Sequence, residues 1–339
     1  MTAVIFILFF VVAFAYICER GEMRPKRSKT WLLLLWPVLV AIAAYRSPLM
    51  PDYENYELFF NFGNARFEAG FVTVTEWIKA LGGGLHFFLA FFAGVSIALK
   101  FTAMEKMTKL VLGSVLVYIS NIYILHDLIQ MRCAVASGLM LLAIYFSVEK
   151  KWIWFAVSFV TAFLFHYSAL AFVFILFLNT QKPRRLLFAG LVVVSYVLGI
   201  MGTTFGSLVA LLPFEFVQDA LVMYQDNIYE EINIFNAMQL LRVALCFFLL
   251  YFIDTISRHN RYAVLLVKIY AVSLSCLVLF SDLPVLAFRI SELLLVAECL
   301  IVPMMYYAVK GPEIVRKLPV VAVSAVILVL NVTKAALLV

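Results

Sequence analysis

The sequence predicts an all-α, polytopic integral membrane protein with about a dozen transmembrane helices, and three observations lead there. Hydrophobic residues make up 65% of the 339 positions and charged residues only 14%, with 32 phenylalanines. A chain so composed cannot cover a water-facing surface with polar groups. Apolar runs approaching the roughly 17 to 25 residues that a hydrocarbon core of about 30 Å demands recur along the whole chain. Between them lie short basic stretches, at residues 20–29, 100–109, 150–151, 182–185, 258–261 and 310–317, which hold 18 of the 26 lysines and arginines.

Those stretches order the spans. Under the positive-inside rule all of them face the cytoplasm, so each consecutive pair encloses two crossings. Residues 1–18 form the first span, retained because no basic region or small-residue cleavage site marks a signal peptide. Residues 31–45 and 85–98 form the next pair around an external loop at 46–84. Residues 110–125 and 132–148 follow, with a tight outer turn at 126–131. Residues 152–179 are few for two full spans, yet both flanks are basic, which implies a short hairpin bent at His166-Tyr167-Ser168. Residues 186–201 and 237–253 flank a second external loop at 202–236, carrying Glu215, Asp219, Asp226, Glu230 and Glu231. The segments 264–281, 289–309 and 318–339 complete the set, with both termini outside.

Composition also excludes several classes. No linker, low-complexity tract or repeat divides the chain, so residues 1–339 form one transmembrane domain. The cysteines Cys18, Cys133, Cys246, Cys276 and Cys299 each stand alone in apolar sequence, which is neither a disulfide framework nor a zinc spacing. The net charge of +6 sits in loops between spans and does not suggest nucleic acid. Gly82-Gly83-Gly84 lacks the context of a phosphate loop and reads as a turn before the third span.

Outside the basic loops, Arg46, Arg132, Arg242 and Arg289 all map near the outer face. A single arginine at that depth can snorkel to headgroups, but several on one face favour a shared anionic ligand, because guanidinium forks match phosphate oxygens and keep their charge. Asp52 follows Pro48 and Pro51 and is read either as a functional carboxylate or as the N-cap of an interfacial helix. That helix would run through Asn64 and bury Tyr53, Tyr56, Phe59, Phe60 and Phe67. Its aromatics read first as anchors, with Tyr53, Tyr56 and Tyr167 as secondary sugar-binding candidates. Glu292 lies one turn beyond Arg289, either paired with it or on the substrate, and Glu298 sits deeper. His166 reads either as a cap of a helix bend or as a general base, since an unperturbed imidazole titrates near about 6.5.

The chain resembles the EpsG-like branch of the Wzy-type polysaccharide polymerases. Three stretches carry the likeness: Tyr45-Arg46 followed by Asp52-Tyr53 and Asn55-Tyr56; Ile129-Gln130-Met131-Arg132 through Ala136-Ser137-Gly138 and on to Phe165-His166-Tyr167-Ser168-Ala169; and Ala287-Phe288-Arg289-Ile290. Met131 and Cys133 flank Arg132 where the family commonly has Ile and Gln. The resemblance implies a helical architecture like that of other membrane glycosyltransferases of the GT-C type. It also implies transfer of a growing oligosaccharide from polyprenyl pyrophosphate onto the next lipid-linked repeat unit, at the outer face of the bacterial inner membrane. Arg46, Arg132, Arg289 and Arg242 would meet the pyrophosphate, and His166 or Asp52 would take the acceptor proton. The resemblance further implies no metal and no cofactor, inversion at the anomeric carbon, and working partners in a flippase and a chain-length regulator. An O-antigen ligase or an acyltransferase would share the outer arginines and histidine, whereas a secondary transporter or flippase of polysaccharide precursors would keep its charges at the bilayer midplane.

Overall fold

The structure, a computed structural model, describes residues 1–63, 67–178, 180–205 and 232–334. Among these the chain is helical, with no strand. The acidic residues from Glu215 to Glu231 lie outside the described residues.

Among the described residues the predicted apolar segments fall on helical structure. The chain runs through α1 (Thr2–Cys18), α2 (Pro25–Ala44), α3 (Tyr53–Phe62), α4 (Ala69–Ala80), α5 (Leu85–Met107) and α6 (Val111–Ser120). A π-helical stretch, Tyr123–Ile129, leads to α7 (Met131–Val148) and α8 (Trp152–Phe165), then a 3-10 stretch, Tyr167–Phe177, and α9 (Arg185–Ile200). From residue 232 onward come α10 (Ala237–Tyr251), α11 (Ala263–Leu279) and α12 (Pro284–Leu295), short turns through Met305–Ala308, and α13 (Glu313–Lys334). Among the described residues three helices, α2, α5 and α7, are by themselves long and apolar enough to cross a membrane. The bent pair of α6 and the π-helical stretch adds a fourth, and several shorter apolar helices accompany them. Their outer faces carry large apolar side chains such as Phe14, Leu33, Ile153 and Leu186, the last 90% exposed. Such a surface suits lipid, not water. By contrast, α6 is buried on every side, as a helix that is apolar all round must be.

The basic stretches gather at one end of the bundle. Lys109 pairs with Glu22 at 2.7 Å, Lys29 with Glu105 at 3.5 Å, and Arg261 with Glu149 at 3.2 Å. Tyr307 donates to Glu22, Asn260 to the Met107 carbonyl and Lys268 to the Lys182 carbonyl, while Arg185 meets Asp254. Six sequence-distant loops are thus held on one face, as the charge pattern requires.

Three expectations need correction. Lys100 is not in a basic loop: α5 continues to Met107, and Lys100 is fully buried inside it. Its ammonium lies 2.7 Å from the Asp127 carboxylate, which also accepts from Ser96 Oγ at 2.5 Å and Tyr118 OH at 2.7 Å. Residues 126–131 are accordingly not an outer turn. The chain bends by 63° after α6 and returns into the bundle as the π-helical stretch, so that Asp127 meets Lys100. Gly138 permits this approach, because a Cβ there would stand 2.8 Å from Leu99 Cβ and 3.2 Å from the Ser96 carbonyl. Finally, the interfacial helix expected through Asn64 ends at Phe62 on Gly63, whose φ of 73° suits a left-handed cap, and a second helix, α4, follows.

Candidate active site

The predicted bend in residues 152–179 falls at His166. There α8 stops, the backbone turns extended at φ −158°, and a 3-10 stretch continues. The His166 amide still donates to the Ala162 carbonyl at 2.8 Å, and its own carbonyl accepts from Ala169 at 2.9 Å. The break is therefore capped through the backbone, leaving the ring free for other work.

The ring meets a residue that sequence reasoning missed. Glu68 Oε1 lies 3.3 Å from His166 Nδ1, and Glu68 Oε2 accepts from Arg132 Nη1 at 2.5 Å. Glu68 is the N-cap of α4, yet its carboxylate makes no capping bond and turns to these two partners instead. Gly70 brings α4 close enough, since a Cβ at that position would stand 2.9 Å from the Leu164 carbonyl near the end of α8. Burial opposes charge on Glu68, but contacts with His166 and Arg132 prevail and hold its carboxyl down at about 2. No local periodicity could reveal this pairing, because its partners come from three helices far apart in sequence.

Around this triad lies an open cleft of about 520 Å³. The first family-like stretch contributes Asp52, Asn55 and Tyr56, the second Gln130, Arg132, Cys133 and His166, and the third Phe288 and Arg289, with Glu292 just beyond it. An adjoining pocket of about 270 Å³ shares Asp52, Asn55, Tyr56 and Arg132 but is otherwise lined by Leu58, Phe59 and Phe67. Arg132 forms the border, its guanidinium 4.3 Å above the Phe67 ring. It opens α7, whose N-terminus adds the positive end of a helix dipole. From Arg132 to the basic-loop end of α7 is about 24 Å at 1.5 Å per residue, so the cleft occupies the end of the bundle opposite those loops.

The remaining predicted residues divide. Arg289 lies in the second turn of α12, exposed, with no ion pair among the described residues. Glu292 accepts from Gln130 at 2.9 Å. Asp52 precedes α3 in the left-handed region, φ 61°, and bonds no helix amide; its Oδ1 accepts from Asn55 at 3.2 Å. For a non-glycine residue that conformation costs on the order of 1 kcal/mol, and it turns the carboxylate toward the cleft. Arg46 is buried and directed elsewhere: Nη1 donates to the carbonyls of Asp127 and Leu128 at 3.1 and 2.9 Å, and Nη2 contacts Met131 Sδ. These are carbonyls that the end of the π-helical stretch leaves without a helical partner. Arg242 pairs with Glu298 at 3.2 Å, in a separate cluster with Tyr270 and Asn121. Tyr53 is buried away from the cleft, and Tyr167 is exposed and packs on Phe163. Among the described residues no group of three or more His, Cys, Asp or Glu side chains is arranged to hold a metal.

Apolar helices surrounding a cleft that carries two arginines, a carboxylate-paired histidine and an outward aspartate define a membrane protein with a cationic polar site. The chain belongs to the EpsG family, whose model matches residues 29–338, nearly the whole chain. That makes it a membrane protein of the polysaccharide-polymerase type. No curated protein and no solved structure matches it.

Proposed function

We propose that this protein polymerises lipid-linked oligosaccharide repeat units, moving a growing chain from polyprenyl pyrophosphate onto the next unit at the outer face of the bacterial inner membrane. One observation carries the reading: the three family-like stretches, separated by tens to hundreds of residues, line a single cleft opposite the basic loops.

In this reaction the acceptor hydroxyl oxygen forms a bond to the anomeric carbon while the bond from that carbon to the carrier pyrophosphate breaks. The electron pair leaves with the pyrophosphate, and the hydroxyl proton passes to the base. Charge therefore grows on the leaving phosphate, and Arg132, held by Glu68, and Arg289, on the cleft wall, supply the cations that stabilise it. His166 is the preferred base, because a carboxylate already stands at its Nδ1 and leaves Nε2 for the acceptor. Asp52 is the rival. A single displacement of this kind inverts the anomeric carbon. The cleft's polar wall suits sugar hydroxyls, with Tyr56 as a stacking face, and the adjoining aromatic pocket suits the first isoprenoid units. We further propose about a dozen spans in one transmembrane domain, residues 46–84 and 202–236 as external loops, and a flippase and chain-length regulator as working partners.

The test uses the purified protein in proteoliposomes with a polyprenyl-pyrophosphate oligosaccharide. The wild type is expected to give a ladder of polymer with release of polyprenyl pyrophosphate. Arg289→Lys should lose about a hundredfold in rate with folding unchanged, since a point charge replaces a bidentate fork. A single transfer onto a lipid A core acceptor with no ladder would instead make it a ligase.

A further inference from the structure

Glu68 has no role in the reading above, although it touches both the arginine and the histidine that the reading uses. Its side chain is nine-tenths buried, at 6% exposure, in a loop-borne position where a solvated carboxylate would be expected. A buried carboxylate is costly unless it is paired, and here each oxygen has its own partner. The two contacts differ in quality. The one to Arg132 is short, at 2.5 Å, while the one to His166, at 3.3 Å, is within ion-pair distance but off the angle of a hydrogen bond. Catalytic contacts are often this loose before substrate arrives and tighten in the complex.

We propose that Glu68 is a positioning residue that couples the two halves of the cleft, with Oε1 fixing the His166 ring so that Nε2 faces the acceptor and Oε2 fixing the Arg132 fork for the pyrophosphate. This rests on the polymerase reading for the identity of the substrates, but the coupling itself is a property of the fold. A carboxylate at Nδ1 selects the tautomer with its proton on Nδ1 and stabilises the imidazolium formed when Nε2 takes a proton. The other charged and titratable groups facing His166 are Arg132, Asp52, Tyr56, Arg289, Glu292 and Cys133 across the cleft. His126 lies behind Cys133, with its Nε2 3.6 Å from that sulfur. Glu68 is the one of these that contacts the ring directly. With its carboxyl held at about 2, Glu68 stays ionised throughout the neutral range, so a limb of activity near neutral pH belongs to another group.

The experiment compares wild type, Glu68→Gln and Glu68→Asp in proteoliposomes across pH, with thermal unfolding as a check on folding. Glu68→Gln is expected to lower kcat by at least about a hundredfold and to raise KM for the lipid-linked donor. It should also move the acid limb of the rate profile to lower pH, because loss of a neighbouring carboxylate disfavours a cationic imidazole. Glu68→Asp, which keeps the charge on a shorter stem, should recover at least tenfold of the rate and return the limb toward its original place. A Glu68→Gln rate within threefold of wild type, or a slow enzyme whose acid limb has not moved, overturns the proposal. Should Glu68→Gln fail to fold, Glu68→Ala, which also removes the charge, is judged by the same two criteria. A second arm separates this inference from the polymerase reading. Histidine-labelled protein in nanodiscs is titrated by NMR without substrate, His166 being identified by its loss in His166→Gln. If the His166 curve moves to lower pH in Glu68→Gln while wild type forms no polymer, the coupling stands and the polymerase reading falls. If polymer forms but the curve does not move, the coupling falls.

Discussion

Two polar clusters lie on either side of the first turns of α7, and they draw on similar residue types. In one, Lys100, Asp127, Ser96 and Tyr118 are fully buried, and each charged oxygen and nitrogen of the ion pair has protein partners at 2.5–2.7 Å. In the other, Glu68 and His166 are buried but Arg132 is only half-buried, Arg132 Nε and His166 Nδ1 lack an aligned partner, and open space lies against both residues. Inside a membrane protein both arrangements carry the mark of function, since ionisable side chains there are costly. Satisfaction separates them. A closed network leaves nothing for a ligand to bond and serves to hold the bent π-helical stretch against α5, whereas an incomplete one beside a cavity has donors left to offer.

The largest effect that can break this comparison comes from the closed network. Lys100→Met leaves the Asp127 carboxylate buried without its counter-ion, a change that typically costs about 3–5 kcal/mol. Because the bend after α6 depends on that contact, the variant is expected to be strongly destabilised in detergent and to give no folded peak on gel filtration. Adding Asp127→Asn should restore most of the loss, because the amide oxygen can still accept from Tyr118 or Ser96 while no charge remains. If Lys100→Met is as stable as wild type but inactive, the network belongs to the site and the distinction drawn from satisfaction fails.

The same comparison explains what was legible in the sequence. The apolar helices could be read from apolar runs because local composition acts on each segment separately. The gathering of the basic loops could be read because charge placement is a local property with a global rule. Lys100 misled because a lysine at the end of an apolar run looks like the start of a loop, and only a partner 27 residues away reveals that the helix continues around it. The outer turn at 126–131 misled for the same reason, as Asp127 looks solvated until Lys100 is known to face it. In the cleft, Arg132, Arg289, Asp52 and His166 could be picked out, since each is a polar residue in a quoted motif at a span boundary. Glu68 could not. It belongs to no motif, and its meaning lies in the distance to Arg132 and His166, which depends on how α4, α7 and α8 pack.

The second effect, on rate with stability unchanged, is at the base. His166→Gln keeps a polar side chain of similar size at the break after α8, where the backbone bonds to Ala162 and Ala169 do not involve the ring. Turnover is expected to fall by about a hundredfold or more while carrier affinity stays within a few-fold, because Arg132 and Arg289 are untouched. Asp52→Asn keeps the contact with Asn55 and is expected to cost less than tenfold. Reversed magnitudes, with His166→Gln nearly normal and Asp52→Asn inactive but folded, would transfer the role of base to Asp52.

The smallest effect concerns Arg46, which sequence reasoning grouped with the pyrophosphate arginines and which stands between the two clusters in space. Its guanidinium donates to the Asp127 and Leu128 carbonyls, on the structural side, yet its Cζ is 6.0 Å from the ring of Tyr56, which lines the cleft. The two assignments predict different losses. If Arg46 closes off the end of the π-helical stretch, Arg46→Gln leaves these carbonyls without their donor, since the glutamine amide nitrogen ends two bonds short of Nη1. Such a buried unpaired group costs about 1–2 kcal/mol, partly offset because a buried charge is removed with it. Unfolding in detergent should then shift by that amount, and the folded fraction should bind the lipid-linked donor with an unchanged KM. If Arg46 instead reaches the pyrophosphate by swinging past Tyr56 when substrate enters, KM should rise tenfold or more with little change in stability, and Tyr56→Leu should relieve part of the defect by opening the path. The bonds in the structure favour the first result, because both nitrogens that could leave are already engaged with groups that have no other donor within the described residues.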